Sequence, residues 1–350
     1  MAVQSAVVIE RQGAAQLVHD RPVPKLRDDY ILVKTAAVAV NPTDWKHIQS
    51  LVQVPGPLVG CDYAGTVVEV GSKVTKAFKK GDRICGFAHG SNAVQHEDGT
   101  FAEYIVVKGD LQIKVPENLS FEEAATLGVG ITTVGQGLYQ ELKLAPPASP
   151  TTTGQQILIY GGSTATGSLG IQYAKLSGYT VLTTCSARNF EFVKSLGADA
   201  VFDYNDEHCA ADIRKFSQSR LALAWDTVSL ASSAAICANA LTTAPGSKYA
   251  ALLPVDLGRG DVEVSVTLAY TALGESFTFG AREIPASTPD FQFAKTFWES
   301  SRNLLQEGKI KVHRPRVGKG LSGVLEGLEL LKSNKVSGEK LVYVLDIGKD

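Results

Sequence analysis

The chain has 350 residues, 44% hydrophobic and 20% charged, with a net charge of −2, ordinary values for a soluble chain able to bury about two domains. No long Lys/Arg run favours nucleic acid or an acidic membrane, and no apolar run reaches the roughly 18 residues of a membrane helix. Cys61, Cys85, Cys185, Cys209 and Cys237 are widely spaced and odd in number, which fits thiols in a reducing compartment; with no basic and apolar leader at the start, the cytosol is the expected location.

The first third reads as β structure. Residues 3–9, 30–40, 63–70 and 101–108 are rich in β-branched and aromatic side chains, separated by Gly, Pro and Asp. A compact β-barrel-like domain is expected. A helical stretch is predicted from Ser120, whose spacing to Glu123 is that of a capping box, and it runs on to Leu138. Residues 144–154, rich in Pro and Thr, form a loop. After it the rhythm changes. Strands at 156–160, 180–184, 200–204, 221–228 and 248–253 alternate with helices at 166–176, 189–196 and 231–241. Such alternation predicts right-handed βαβ units and a doubly wound parallel sheet. A strand at 262–267 suits an exposed or paired edge. The tail carries helices at 291–307 and 321–333, a basic strand at 310–317 and a last strand at 340–345. It is expected to return to the first domain.

The stretch 157–170 runs from a strand through glycines into a helix. Glycine lets the backbone turn sharply beside a pyrophosphate, and the helix start offers unpaired N–H groups. The loop residues Gly161, Gly162, Ser163, Thr164, Ala165 and Thr166 are therefore candidates for a dinucleotide, with the hydroxyls of Ser163, Thr164 and Thr166 as added donors. A tight structural turn is the alternative. The second strand then ends without the acid that bonds ribose hydroxyls in NAD sites. Ser186, Ala187, Arg188 and Asn189 stand there instead, and a guanidinium binds a 2′-phosphate as a bidentate fork. NADPH is the expected cofactor, with Tyr204 near the same phosphate or the adenine. Arg188 otherwise reads as a solvated residue at a helix start.

The order of β domain, parallel sheet and β return, with Asn41-Pro42-Thr43-Asp44, Gly60-Cys61-Asp62-Tyr63-Ala64-Gly65, Gly81-Asp82-Arg83, Gly161-Gly162-Ser163 and Gly338-Glu339-Lys340-Leu341-Val342, resembles the medium-chain dehydrogenase/reductases over nearly the whole chain. Zinc alcohol dehydrogenases of that superfamily carry a Cys and a Gly-His-Glu where this chain has Thr43-Asp44 and Gly60-Cys61-Asp62. The stretch matching their four-cysteine loop has only His89 and His96, which read as surface histidines. No metal is expected. The remainder resembles the quinone-oxidoreductase and enoyl-reductase branch, most of all the stand-alone enoyl reductases that serve fungal polyketide synthases in trans.

That resemblance implies an α/β fold. A GroES-like catalytic domain would span 1–122 and 281–350, and a Rossmann domain 123–280. It implies NADPH-dependent reduction of an α,β-unsaturated acyl thioester carried by a polyketide synthase carrier protein, with no nucleic acid or membrane partner. A monomer is favoured over a homodimer, since docking needs free surface. It places Thr43, Asp44, Trp45, Lys46, Leu252, Leu253, Val336 and Ser337 at the cofactor, and Thr133, Val134, Gly135, Tyr270, Thr271, Ala272, Leu273 and Gly274 at the substrate. Lys46, Thr133 and Thr43 are the candidate catalytic residues. Lys46 reads equally as a surface lysine, and Asp44 as its ion partner or as a helix cap. Tyr270, Phe277 and Phe279 read as an acyl channel or as ordinary core. A free-standing quinone or enone reductase is the alternative function, and a non-catalytic NADPH-binding protein the third.

Overall fold

The computed structural model describes residues 2–345; residues 346–350 of the predicted return lie outside the described residues. The chain divides into two compact units, Met1–Thr132 with Tyr270–Asp350, and Thr133–Ala269. The expected boundaries, 122/123 and 280/281, lie outward of these cuts. The stretch after Ser120 docks within the first unit, where Val129 N donates to Asp62 Oδ1 at 2.6 Å. Tyr270 likewise belongs there through its hydrogen bond to Thr43.

The first unit opens with β1 (Val3–Arg11), β2 (Ala14–Pro22) and β3 (Tyr30–Ala39). A short helix, α1 (Pro42–Lys46), leads to β4 (Asp62–Val70), β5 (Arg83–Phe87), β6 (Tyr104–Lys108) and β7 (Ile113–Lys114). The predicted helix from Ser120 is broken into α2 (Phe121–Ala124) and α3 (Gly128–Val134), followed by a wide-pitched turn, Gly135–Glu141. The Ser120 capping box forms as expected, Glu123 N donating to Ser120 Oγ at 3.2 Å. Strand β2 was not anticipated: its burial is mostly partial, so its sequence lacks a clear apolar alternation.

The second unit is the predicted alternation: β8 (Gln156–Tyr160), α4 (Ala165–Leu176), β9 (Thr180–Cys185), α5 (Phe190–Ser195), β10 (Ala200–Asp203), α6 (Cys209–Phe216), β11 (Leu223–Asp226), α7 (Ala231–Ala240), β12 (Lys248–Ala251) and β13 (Glu263–Val266). All six strands are parallel, in the order β10-β9-β8-β11-β12-β13. The order reverses between β8 and β11, the switch point where such sheets bind ligands. Leu158, Leu182, Ile213, Ala224, Cys237 and Tyr249 belong to one buried core. Helix α6 escaped the sequence reading because only Cys209 and Ile213, one turn apart, are buried along it.

The return to the first unit comprises a hairpin, β14 (Phe277–Phe279) with β15 (Arg282–Ile284), then α8 (Thr288–Gln306), β16 (Pro315–Lys319), α9 (Gly320–Lys332) and β17 (Lys340–Val344). Seven strands there make one sheet in the order β16-β17-β3-β4-β5-β7, with β6 paired to β3. Only β16–β17 is parallel. The basic strand expected at 310–317 begins at Pro315, where pairing with Lys340 starts; proline has no N–H and suits the first residue of a strand. Among the described residues no helix is long and apolar enough to cross a membrane.

Candidate active site

In the second unit, β8 ends at Tyr160 and the chain turns through Gly161 and Gly162 into α4. Gly161 has φ +83°, a conformation side chains rarely adopt, and a Cβ on Gly162 would stand 2.1 Å from Thr183 Oγ1. Gly161 N donates to Thr184 Oγ1 at 3.1 Å and Gly162 N to Thr184 O at 2.9 Å, fastening the turn to β9. Thr164 caps α4, accepting from Gly167 N at 2.9 Å, and its Oγ1 lies 3.1 Å from Thr227 Oγ1. Thr227 Oγ1 donates in turn to Tyr160 O at 2.7 Å, so the Thr164 proton goes to Thr227. Its hydroxyl is thus committed, against the expectation of a phosphate donor. Ser163 and Thr166 are half-buried and make no side-chain hydrogen bond among the described residues. With the unpaired N–H groups of the first turn of α4, starting at Ala165, they fit the diphosphate of a dinucleotide.

Beyond β9, Ala187–Asn189 form a single 3₁₀ turn in which Asn189 Nδ2 donates to Ser186 Oγ at 3.2 Å. Arg188 is exposed and makes no ion pair among the described residues. Sequence reasoning missed a carboxylate here. Asp203 pairs with Cys185 across β10 and β9, one residue short of Ser186. Its Oδ1 accepts from Asn205 N at 2.9 Å and Asn205 Nδ2 at 2.8 Å, and the Asn205 N–H in particular holds its pKa below the usual range. Tyr204 is 42% exposed, its ring 6.3 Å from that of Tyr160. At the end of β11 the fully buried Asp226 accepts from Val228 N, Ser229 N, Ser233 Oγ and Tyr249 OH, at 2.6–2.9 Å. Ser229 Oγ then accepts from Leu252 N at 2.8 Å, which sets the half-buried Leu252 and Leu253 just past β12. Thr133, Val134 and Gly135 are buried.

In the first unit, α1 carries the candidate catalytic residues. Asp44 Oδ2 accepts from Asn41 N at 2.7 Å, closing a capping box. Asp44 is 1% exposed, so its carboxylate is a buried cap, neither the partner of Lys46 nor a free ligand for cofactor. Lys46 is half-buried, its ammonium 5.6 Å from the centre of the Trp45 ring. It makes no ion pair among the described residues, and burial lowers its pKa. Trp45 and Val336 both pack on the unit's core, and Ser337 is exposed.

Thr43 Oγ1 lies 2.8 Å from Tyr270 OH and 3.2 Å from His47 Nδ1, and His47 Nδ1 lies 2.8 Å from Thr43 O. A carbonyl only accepts, which assigns the proton to Nδ1. Burial pushes His47 down to about 4, so the ring is neutral near pH 7, and its buried Nε2 has no hydrogen-bond partner among the described residues. The Tyr270 ring stacks on His89 with centroids 4.1 Å apart and meets His47 edge-on at 5.3 Å. His89 is therefore buried, not the surface histidine expected; His96 is exposed. Tyr270 and Phe277 are 4% and 3% exposed and belong to the packed interior, with Phe279 half-buried beside His47. Ala272 and Leu273 are buried and Thr271 half-buried. A Cβ on Gly274 would stand 2.8 Å from Phe291 Cβ.

Beneath α1 lies a buried charge network. Lys340 Nζ donates to Asp62 Oδ2 at 2.8 Å and to Asn41 Oδ1. Burial, reinforced by the nearby Asp62, raises Asp44 to about 7 despite the Asn41 N–H. A carboxyl raised in the folded state favours folding while it stays protonated, and that contribution is lost as pH rises from about 4 through about 7. Asp44→Asn should therefore gain on the wild type in Tm from pH 5 to pH 8. A difference that stays flat with pH would refute the assignment.

Two family models match: the alcohol dehydrogenase GroES-like domain over residues 27–117 and the zinc-binding dehydrogenase model over 165–247. The chain is 50% identical to trans-enoyl reductase resD of Aspergillus sclerotiorum, over 97% of this chain and 99% of that protein. It is 62% identical to trans-enoyl reductase TOXD of Cochliobolus carbonum, over 79% of this chain and 93% of that one. The chain belongs to the trans-enoyl reductase family of medium-chain dehydrogenase/reductases. The fold agrees: the quinone oxidoreductase of Coxiella burnetii superposes with a TM-score of 0.73 at 25% identity, covering 98% of this chain and 99% of that one. A trans-enoyl reductase of this fold binds a nicotinamide cofactor. Among the described residues no three His, Cys, Asp or Glu side chains group as a metal site would.

Proposed function

We propose that the protein is an NADPH-dependent enoyl reductase acting in trans, which saturates the double bond of an α,β-unsaturated acyl thioester presented by a polyketide synthase carrier protein. The observation that carries this reading is the near full-length identity to relatives named trans-enoyl reductases. The glycine turn and α4 would hold the diphosphate, with Ser163 and Thr166 as side-chain donors. Arg188, exposed and without an ion partner among the described residues, would take the 2′-phosphate. The bound cofactor supplies the hydride, which goes to the β-carbon.

Negative charge then develops on the thioester oxygen, and the groups assigned to it are the Thr43 hydroxyl and the Lys46 ammonium. Thr133 is assigned to the substrate. The α-carbon receives its proton from a side chain or from water. We take the enzyme as a monomer: Glu263, paired with Lys248 at 3.1 Å, puts charge on the free edge of the six-stranded sheet, which disfavours pairing of copies there.

The test is NADPH oxidation with crotonyl and longer enoyl thioesters, beside simple quinones. Turnover on thioesters is expected. Turnover on quinones alone would replace this reading with that of a free-standing quinone reductase. If neither reacts, the same chains tethered to a carrier protein decide between a strictly carrier-dependent enzyme and a non-catalytic one.

A further inference from the structure

We propose that Tyr270 is a positioning residue, whose hydroxyl fixes Thr43 Oγ1 so that the threonine proton is offered to a carbonyl-type oxygen of a ligand. This rests on the reading that Thr43 meets the reacting molecules. That oxygen belongs either to the substrate thioester or to the cofactor carboxamide.

A threonine hydroxyl has one proton and two acceptor sites. His47 Nδ1–H is directed at Thr43 O, 2.8 Å away, and leans on Oγ1 at 3.2 Å. Tyr270 O–H, 2.8 Å from Oγ1, can donate to the other lone pair. Its second neighbour is Cys61 Sγ at 3.7 Å. Burial raises both the phenol and the thiol, so each keeps its proton. Sulfur is the weakest acceptor in the set. Cys61 S–H has the Asp44 carboxyl as its own hydrogen-bond partner, so Tyr270 O–H is best directed at Thr43 Oγ1, the nearer and stronger of its two acceptors.

In that arrangement the Thr43 proton is the one left over, on a residue that is half-exposed. The opposite direction would spend it on Tyr270 and aim the tyrosine proton at sulfur. The ring has little freedom to turn away, since His89 stacks on one face at 4.1 Å while His47 and Phe87 approach at 5.3 and 5.6 Å. Tyr270 thus acts through Thr43 and is not a wall of the acyl channel.

The experiment compares wild type, Tyr270→Phe, Thr43→Val and the double variant for kcat and KM with crotonyl thioester, and for the Kd of NADPH by fluorescence. Tyr270→Phe keeps the stacked ring and loses only the hydroxyl. It should lower kcat on the order of tenfold, with little change in thioester KM. Thr43→Val should do at least as much, and the double variant should be no worse than Thr43→Val alone. Thr43→Ser, which keeps the hydroxyl, should restore most of the rate. A change in NADPH Kd with the same coupling would place the oxygen on the carboxamide; a change in kcat alone would place it on the thioester. Wild-type kcat and Kd in Tyr270→Phe, or losses that multiply in the double variant, would overturn the proposal. Should the wild type fail on free thioesters, kcat is read on the carrier-tethered chains; should it fail there too, the functional reading falls, and the coupling in NADPH Kd still decides the role of Tyr270.

Discussion

Arg188→Glu should weaken NADPH binding by about 100-fold while leaving NADH within about twofold, inverting cofactor preference. A charge-assisted hydrogen bond is worth roughly 1.5–3 kcal/mol, and replacing a cation by an anion adds repulsion against the 2′-phosphate. NADH has no phosphate there and should not sense the change. The site makes the effect large. Arg188 is exposed and has no ion pair among the described residues, so no protein partner dilutes its pull on a ligand. Asp203 sharpens the point. Its pKa is held down, chiefly by the Asn205 N–H, so it stays anionic beside Ser186 and opposes a phosphate. The guanidinium must outweigh that charge. Arg188→Lys should fall between the two, since an ammonium is a point charge without the bidentate fork. Equal weakening of both nucleotides, measured by fluorescence titration at fixed ionic strength, would remove Arg188 from the 2′-phosphate site.

The parallel sheet was legible because each of its units repeats the same punctuation: an apolar strand, a turn, a helix with one buried stripe. Where the stripe thins to two residues, as in α6 with Cys209 and Ile213, the signal vanishes. The helix after Ser120 reads as continuous because its apolar residues never stop. It breaks before Gly128, where a Cβ would stand 2.4 Å from Asp62 Oδ1, a contact between segments more than sixty residues apart. The phosphate turn was readable as a local motif, though the commitment of Thr164 to Thr227 was not, since it depends on a neighbouring strand. Least legible was the cluster around Tyr270. His47 lies one helical turn from Thr43, and that spacing was a usable clue. Cys61 and His89 come from separate loops and Tyr270 from a distant 3₁₀ turn, and nothing in composition separates a histidine stacked on a buried tyrosine from one in water.

Lys340→Met should destabilise the first unit by roughly 3–5 kcal/mol. Lys340 and Asp62 are a buried pair, their side chains 4% and 0% exposed, 2.8 Å apart. Removing the ammonium leaves a carboxylate with Val129 N, 2.6 Å from Oδ1, as the remaining hydrogen-bond donor to that side chain among the described residues. It also strips Asn41 Oδ1 of a donor, at the cap from which α1 starts. A fall in Tm on the order of 10 °C is expected. The cost comes from the orphaned charge, not from the lost attraction, and a second substitution separates the two. Asp62→Asn in the Lys340→Met background removes that charge and should recover most of the loss, because replacing both members of a buried pair is often nearly neutral. Recovery of Tm together with a lasting deficit in kcat would show that the pair's lasting contribution is to hold Asn41, and through it the turn that presents Thr43. If the double variant is no more stable than Lys340→Met, the lysine matters through its own packing and its bond to Asn41, and the charge-pair account fails.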